Sequence, residues 1–366
     1  MKSIYTKMRR NKFVIMILVM FLGLCGMYTM SIQRRFESTT ILMMGYSPKR
    51  KVNYPVIFKH YTDMSTDIVD SVVLVWCHPT EPPPRSNFDR VSILKSDSPS
   101  LNSRWSHKAL EYIHTDTVMS VDDDLLIPEA MMIRMLKMRH IYRNDDRLVG
   151  LDHRYVSSNL EYVSPGYLSR ILWPLQLFVM PSASIVDIVL TKTMIVPTRF
   201  LRAYESEKDI ITHVDSVKNC EDIGMNVVSR RHGAAAPIAL MSIEIPMKWF
   251  QWTGIGHTGY VRWTLPMQGS AISRDLVTHQ NTRDTCVRTF EQGSSSFQYI
   301  DTNANDFVPL SSGQYDLEAF LFLCVALVIL VSYFFLRRRR KGRTDSSPPP
   351  STAMTQLSAT FPDKTL

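Results

Sequence analysis

The sequence predicts an α/β domain built on a mostly parallel sheet and flanked by two transmembrane helices. Three observations predict it. Short β-branched apolar runs alternate with stretches of helical spacing from about residue 39 to about residue 300, as expected when strands and helices alternate. Two long uncharged apolar runs stand near the ends of the 366-residue chain. The excess positive charge lies just outside those runs.

The first apolar run, 13–32 (FVIMILVMFLGLCGMYTMSI), has twenty residues, and the second, 319–336 (AFLFLCVALVILVSYFFL), has eighteen. Each is long enough to cross a hydrocarbon core of about 30 Å as a helix. Lys2, Lys7, Arg9, Arg10 and Lys12 precede the first, and Arg337 to Arg340, Lys341 and Arg343 follow the second. The positive-inside rule then keeps residues 1–12 and 337–366 in the cytosol. Residues from about 33 to 317 then face the secretory lumen. A cleaved signal peptide is the other reading of 13–32, and it delivers the same middle segment to the lumen. The formal charge of +8, less those eleven terminal cations, leaves −3 for the rest. No basic stripe interleaved with aromatics crosses the body, which argues against a nucleic-acid partner. The tail is rich in Pro, Ser and Thr and reads as disordered. Cys25 and Cys324 fall in the apolar runs, leaving Cys77, Cys220 and Cys286 for one disulfide and one free thiol in an oxidising lumen. No Asn-x-Ser/Thr sequon occurs, so N-glycosylation is not expected.

Within the body, TTILMMGY (39–46), DSVVLVW (70–76), VSILK (91–95) and TVMSV (117–121) read as four strands. Arg104 to His114 has helical spacing. EAMMIRMLKMRHIY (129–142) reads as a helix opened by Pro128, its methionines packing a core rather than holding a cofactor. RLVGL (147–151) and SIVDIVL (184–190) add strands, and EDIGMNVVSRRHG (221–233) reads as a helix closed by Gly233. His78, His153 and His257 have no partner at metal-ligand spacing and read as ordinary histidines. The cluster of Trp249, Phe250 and Trp252 reads as core packing, with a sugar-stacking platform as the alternative.

The most informative stretch is VMSVDDDLLIP (118–128), in which Asp122, Asp123 and Asp124 follow a buried strand directly. In a parallel sheet, ligands bind beyond the carboxyl ends of the strands. If the chain stays extended there, Asp122 and Asp124 share one face and Asp123 takes the other. Two converging carboxylates are an incomplete set of hard oxygen ligands. Such a set suits Mn²⁺ or Mg²⁺ completed by water and a substrate phosphate. A solvated acidic turn is the plain alternative.

Six segments in order give this triplet a context: SVVLVW (71–76), SLNSRW (100–105), VMSVDDDLLIP (118–128), RLVGLDHR (147–154), NCEDIGMNVV (219–228) and TRDTCVRTF (282–290). Together they resemble the exostosin-like glycosyltransferases, carbohydrate-active family 64. The resemblance implies a GT-A type nucleotide-sugar-binding domain that moves a sugar from a UDP-sugar donor, with retention at the anomeric carbon, onto a glycan or glycolipid acceptor. By family the sugar is an N-acetylhexosamine. It further implies that Asp124 ligates Mn²⁺, that Asp122 meets the metal or the ribose, and that Asp123, Asn102, Arg104, Tyr46 and Arg154 belong to the substrate pocket. Asp222 would stand beside the anomeric carbon and Arg283 would meet the diphosphate. Cys220 and Cys286 fall on the two cysteines that the family links. Without the family, Asp222 reads as a helix N-terminal carboxylate favoured by the macrodipole.

The departures cluster at the donor. Pro48 stands where the family has Arg after Tyr46, leaving Lys49 or Arg50 as substitutes. Cys77-His78 replaces Asn-Asn after Trp76, and Lys192 replaces a Gly. Altered donor specificity is one consequence. A catalytically silent lumenal scaffold or partner of another transferase is the other.

Overall fold

The computed structural model describes residues 36–164, 183–240, 243–246, 261–265, 276–292 and 297. All of them lie in the first of two compact units, Met1–Gly313. The strands are β1 (Thr39–Gly45), β2 (Val69–Trp76), β3 (Val91–Lys95), β4 (Thr117–Asp122), β5 (Leu125–Leu126), β6 (Val149–Gly150), β7 (His153–Val156), β8 (Tyr162–Val163), β9 (Ala183–Ile185), β10 (Ile188–Val189), β11 (Thr193–Pro197), β12 (Ile238–Leu240), β13 (Ile243–Pro246) and β14 (Val261–Thr264). The helices are α1 (Tyr54–Thr62), α2 (His107–Leu110), α3 (Glu129–Ile141), α4 (Thr198–Ser206), α5 (Lys208–Val217), α6 (Glu221–Arg231) and α7 (Leu276–Glu291).

Eight strands form the main sheet in the order β3-β2-β1-β4-β11-β6-β12-β9. The first four are parallel. Gly45 pairs with Trp76, Trp76 with Lys95, and Met44 with Asp122, so their carboxyl ends share one edge. From β4 onward the sheet is mixed. β11 runs antiparallel to both β4 and β6, β6 and β12 are parallel, and β9 is antiparallel to β12. The fold is thus an α/β arrangement with a mostly parallel mixed sheet. Successive residues of β1 point to opposite faces, as the two-residue period requires. Ile41 and Met43 pack with Tyr54, Ile57, Phe58 and the buried methionines Met131, Met132 and Met135. Leu42 packs on the other side with Phe200, Leu201, Ile210, Ile223 and Val227. Each face is therefore closed by helices, which is why β1 is an apolar run rather than an alternating one. The Met-rich helix is core, as its composition predicts.

Several expected elements are shorter or divided. The helix expected over 104–114 is a 3-10 turn, Leu101–Trp105, followed by the four residues of α2. Ser100 caps the turn by accepting from the Asn102 amide at 3.0 Å, and Ser106 is extended (ψ 154°) between the two pieces. The strand expected over 184–190 becomes β9 and β10 in different sheets. Between them the buried carboxylate of Asp187 accepts the Val156 amide at 2.9 Å. The strand expected over 147–151 is ordered as a strand only at Val149–Gly150. At Gly150 a Cβ would lie 2.8 Å from Val189 Cβ and 3.0 Å from the Thr193 carbonyl, so only glycine lets β10 and β11 come that close.

Cys220 and Cys286 form a disulfide, joining the start of α6 to α7 across 66 residues, and Cys77 is a buried free thiol. Residues 13–32 and 319–336, expected to span the membrane, lie outside the described residues, as do Trp249, Phe250, Trp252, His257 and the tail. Among the described residues no helix is long and apolar enough to cross a membrane.

Asn226 of α6 acts as a peptide surrogate at the edge of β10. Its Oδ1 accepts the Val189 amide at 3.1 Å and its Nδ2 donates to the Val189 carbonyl at 2.8 Å. Asn226 is fully buried, so truncation strands both backbone groups. Asn226→Ala is expected to lower unfolding free energy by about 2–4 kcal/mol, read as a fall in the urea midpoint without a change in slope.

Candidate active site

The acidic triplet closes the end of β4, and each carboxylate meets a different environment. Asp122 donates its amide to the Lys192 carbonyl at 3.2 Å, and its Oδ1 accepts from Arg104 Nη2 at 3.2 Å. About a third of its side chain is exposed. Asp123 turns inward, accepting from the Tyr54 hydroxyl at 2.9 Å and from Arg50 Nη1. Glycine at 45 allows this: a Cβ there would sit 2.2 Å from the Tyr54 hydroxyl. Asp124 is buried. Among the described residues its carboxylate accepts no hydrogen bond, and its one ion pair is with Arg50 Nη2 at 3.4 Å. Burial, then the neighbouring charge of Asp122, pushes its carboxyl up to about 6, with Arg50 and Lys192 opposing.

Arg104 is almost wholly buried beneath the triplet. Its Nη1 donates to Ser120 Oγ at 2.7 Å and to the Thr191 carbonyl at 3.0 Å, while its Nε has no hydrogen-bond partner among the described residues. Thr191 Oγ1 lies 3.3 Å from Glu221 Oε1 at the start of α6. The chain of contacts Asp122–Arg104–Thr191–Glu221 thereby joins the triplet to the second half of the site.

That half is an ion pair. Arg283 Nη1 of α7 donates to Asp222 Oδ2 at 2.7 Å and also meets the Tyr162 hydroxyl. Asp222 Oδ1 accepts the Ile223 amide at 2.8 Å, and the residue is 2 % exposed. Burial works against the charge of Arg283, but Asp222, Tyr162 and Glu221 outweigh it and hold its guanidinium above its ordinary value. The Tyr162 hydroxyl is pushed up to about 12, chiefly by burial. The carboxyl of Glu221 is raised by burial and by Asp222, with Arg104 and Arg283 acting against that rise. The backbone before Asp222 is itself strained: Cys220 has φ +75°, outside the usual range of a non-glycine residue. The disulfide holds it there, together with Asn219 Oδ1, which accepts the Cys220 amide at 2.8 Å. The Asn-Cys pair of the motif is thus a clamp that aims the first turn of α6.

Of the residues expected in the pocket, Asp122, Asp123, Asp124 and Arg104 group at the end of β4, and Asp222 and Arg283 pair at the start of α6. Arg154 joins the second half, with its guanidinium 5.7 Å from the Tyr162 ring, Nη1 on the His153 carbonyl at 2.7 Å and, among the described residues, no hydrogen-bond partner for Nε. Tyr46 stands half exposed at the end of β1, 5.5 Å from the His78 ring. Asn102 faces elsewhere. Its Nδ2 donates to the Ile211 carbonyl at 3.0 Å and to Asp215 at 2.8 Å, and its Oδ1 accepts from the Tyr204 hydroxyl at 2.7 Å. This amide binds α5 to the 3-10 turn that carries Arg104, so it positions rather than lines. Arg50, Tyr54, Tyr162 and Glu221 complete the site. Only Arg50 was suggested by the sequence, as a replacement for the missing arginine.

Among the described residues no group of three or more His, Cys, Asp or Glu side chains could hold a metal ion alone. The donor set nevertheless fits a hard divalent ion that arrives with other oxygens. Asp124 is a buried carboxylate that accepts no hydrogen bond among the described residues, beside the partly exposed Asp122, and Mg²⁺-type sites commonly use one or two carboxylates plus substrate phosphates.

Comparison with known proteins gives the chain a family. The model of the glycosyl transferase family 64 domain matches residues 39–305. Among curated relatives, the glycosyltransferase family protein 64 C3 of Arabidopsis thaliana is 24 % identical over 278 residues, covering 70 % of this chain and 76 % of that protein. The exostosin-like-3 homolog of Caenorhabditis elegans is 25 % identical over 263 residues, covering 69 % of this chain but only 26 % of that protein. A solved structure of GalNAc-T7 with UDP, GalNAc and Mn²⁺ aligns at a TM-score of 0.43 and 6 % identity, over 70 % of this chain and 48 % of that one. This chain therefore spans about a quarter of the exostosin-like relative and about half of the solved chain.

The raised carboxyl of Asp124 has a signed consequence. Its ordinary value, 3.8, rises to about 6 in the fold, so between these values the folded protein holds the proton more tightly than the unfolded chain. The ion-free protein should then lose stability as pH rises from about 4 to about 6, by at most about 3 kcal/mol. Chemical denaturation across that range in the presence of a chelator checks it, and Asp124→Asn should flatten this part of the profile.

Proposed function

The chain belongs to glycosyltransferase family 64 and is a glycosyltransferase, and from that premise we propose that it is a metal-dependent, retaining enzyme of the Golgi or endoplasmic reticulum membrane. Its donor is a UDP-sugar, with an N-acetylhexosamine as the transferred unit, and its acceptor a glycan or glycolipid. The observation that carries this reading is the meeting, through Arg104, Thr191 and Glu221, of the acidic triplet with the Asp222–Arg283 pair. The two apolar runs and their basic flanks support the membrane placement.

The chemistry needs two things, a sink for the charge of a departing diphosphate and a group beside the sugar carbon. A divalent ion held by Asp124 and Asp122 would supply part of the sink by neutralising phosphate oxygens. Arg283 supplies the rest in this reading. Its planar fork suits phosphate oxygens, and its place in a buried pair fixes its orientation before substrate arrives. Asp222 holds that arginine and carries negative charge toward a centre that becomes positive as the glycosidic bond opens. Arg154 and Glu221 border the same space and orient the donor or the acceptor hydroxyl. Tyr46 and His78 offer exposed ring surface at the end of β1 and β2 for the base.

The departures at Pro48, Cys77 and Lys192 favour a second reading, a lumenal partner without transferase activity. One experiment separates the two. On the full-length chain, UDP with Mn²⁺ is expected to raise the melting temperature, corresponding to roughly 2.7 kcal/mol at a hundredfold excess over Kd. Asp124→Asn should abolish the Mn²⁺-dependent part. Transfer or hydrolysis over a panel of UDP-sugars should then fall about 10²–10³-fold in Arg283→Lys, which keeps the charge of the pair but loses the fork. A wild-type protein that neither shifts nor turns over any donor would favour the partner reading.

A further inference from the structure

Four acids of the site have cations within ion-pair distance, and those cations are unevenly distributed. Asp222 has Arg283, Asp122 has Arg104, and Asp123 has Arg50 reinforced by Tyr54. Asp124 shares the guanidinium already committed to Asp123, at 3.4 Å from the second nitrogen. Arg50 thus bridges the two buried carboxylates of the triplet. It comes from the 3-10 turn Pro48–Asn53, which opens with the proline that displaces the expected arginine. A guanidinium and a divalent ion both seek the same Asp124 oxygens, and at about 4 Å like charges near a protein surface repel by several kcal/mol.

Resting on the metal-dependent reading above, we propose that Arg50 is a built-in counter-cation that makes this site bind its divalent ion and its nucleotide as one unit rather than in succession. Without nucleotide, Arg50 offsets part of the charge of Asp123 and Asp124 and repels an incoming ion, so the bare ion binds weakly. The diphosphate brings negative charge of its own, which supplies the counter-charge for ion and guanidinium together. The ion then binds tightly only with the donor. Arg50, the third residue of the turn, follows two positions after the Pro48 that stands in place of the expected arginine, and it acts on the ion through charge.

Manganese titration of the full-length chain, followed by the electron paramagnetic resonance signal of the free ion, tests this with and without UDP. Wild type should bind Mn²⁺ at least about fivefold more tightly when UDP is present, within the usual range of coupling between sites. Arg50→Gln should bind Mn²⁺ alone at least about fivefold more tightly than wild type, and UDP should then add less. Arg50→Lys keeps the positive charge and should bind the bare ion as weakly as wild type; it also serves if the glutamine variant does not fold. Unchanged or weaker binding of bare Mn²⁺ by a folded Arg50→Gln protein overturns the proposal, as does tighter binding by Arg50→Lys. A wild-type chain that takes up no Mn²⁺ even with UDP refutes the metal-dependent reading itself, and the role of Arg50 with it.

Discussion

The structure is organised around an electrostatic problem: three adjacent carboxylates end a fully buried strand. Burying one unpaired carboxylate costs several kcal/mol, so three together need partners or a location where water and ligands can reach them. The fold uses both. Asp122 stays partly exposed, Asp123 is sealed by Tyr54 and Arg50, and Asp124 is left buried with the poorest provision of the three. Much of the surrounding architecture follows. Gly45 is bare so that Tyr54 can reach Asp123, and Ser120 and Thr191 hold Arg104 beneath Asp122. A solvated acidic turn would need none of this, and the covered state of Asp123 and Asp124 argues against it.

The second half of the site solves a different problem, that of holding an acidic helix start in one place. α6 begins with Glu221 and Asp222, which the helix dipole favours. The dipole alone would not fix their direction. Direction comes from the disulfide and Asn219 at the strained Cys220, from Asn226 on β10, and from Arg283 on α7. The helix-start reading and the site reading of Asp222 are therefore compatible. The dipole favours the charge, and the buried arginine sets its orientation.

How far the sequence carried depended on whether a feature was local. β1 to β4 and α3 were legible because hydrophobic period and turn residues are properties of a few neighbouring positions. The triplet was legible because it interrupts an apolar run. What stayed hidden was set by distant partners. β11 inserts antiparallel between β4 and β6, a pairing that no local pattern encodes. SIVDIVL looks like one strand until Asp187 is seen to take the amide of Val156. Asn102 sits in a motif beside Arg104, yet its amide is consumed by α5 and Tyr204, while Tyr162, in no motif at all, meets Arg283. Adjacency in sequence placed Asn102 and Arg104 on one turn, but the 3-10 geometry sends their side chains to different neighbours.

The two halves of the site are coupled through buried groups rather than through bulk solvent, and this limits how either could change alone. Arg104 donates to Asp122 and to the carbonyl of Thr191, whose hydroxyl meets Glu221. Glu221 in turn feels both Arg104 and Arg283. In a medium of low polarisability such a chain can be worth more than the sum of its separate contacts. Charge added at the triplet is therefore felt at Asp222. Arg50 belongs to the same set of charges, since it comes from the turn opened by Pro48 and pairs with both Asp123 and Asp124.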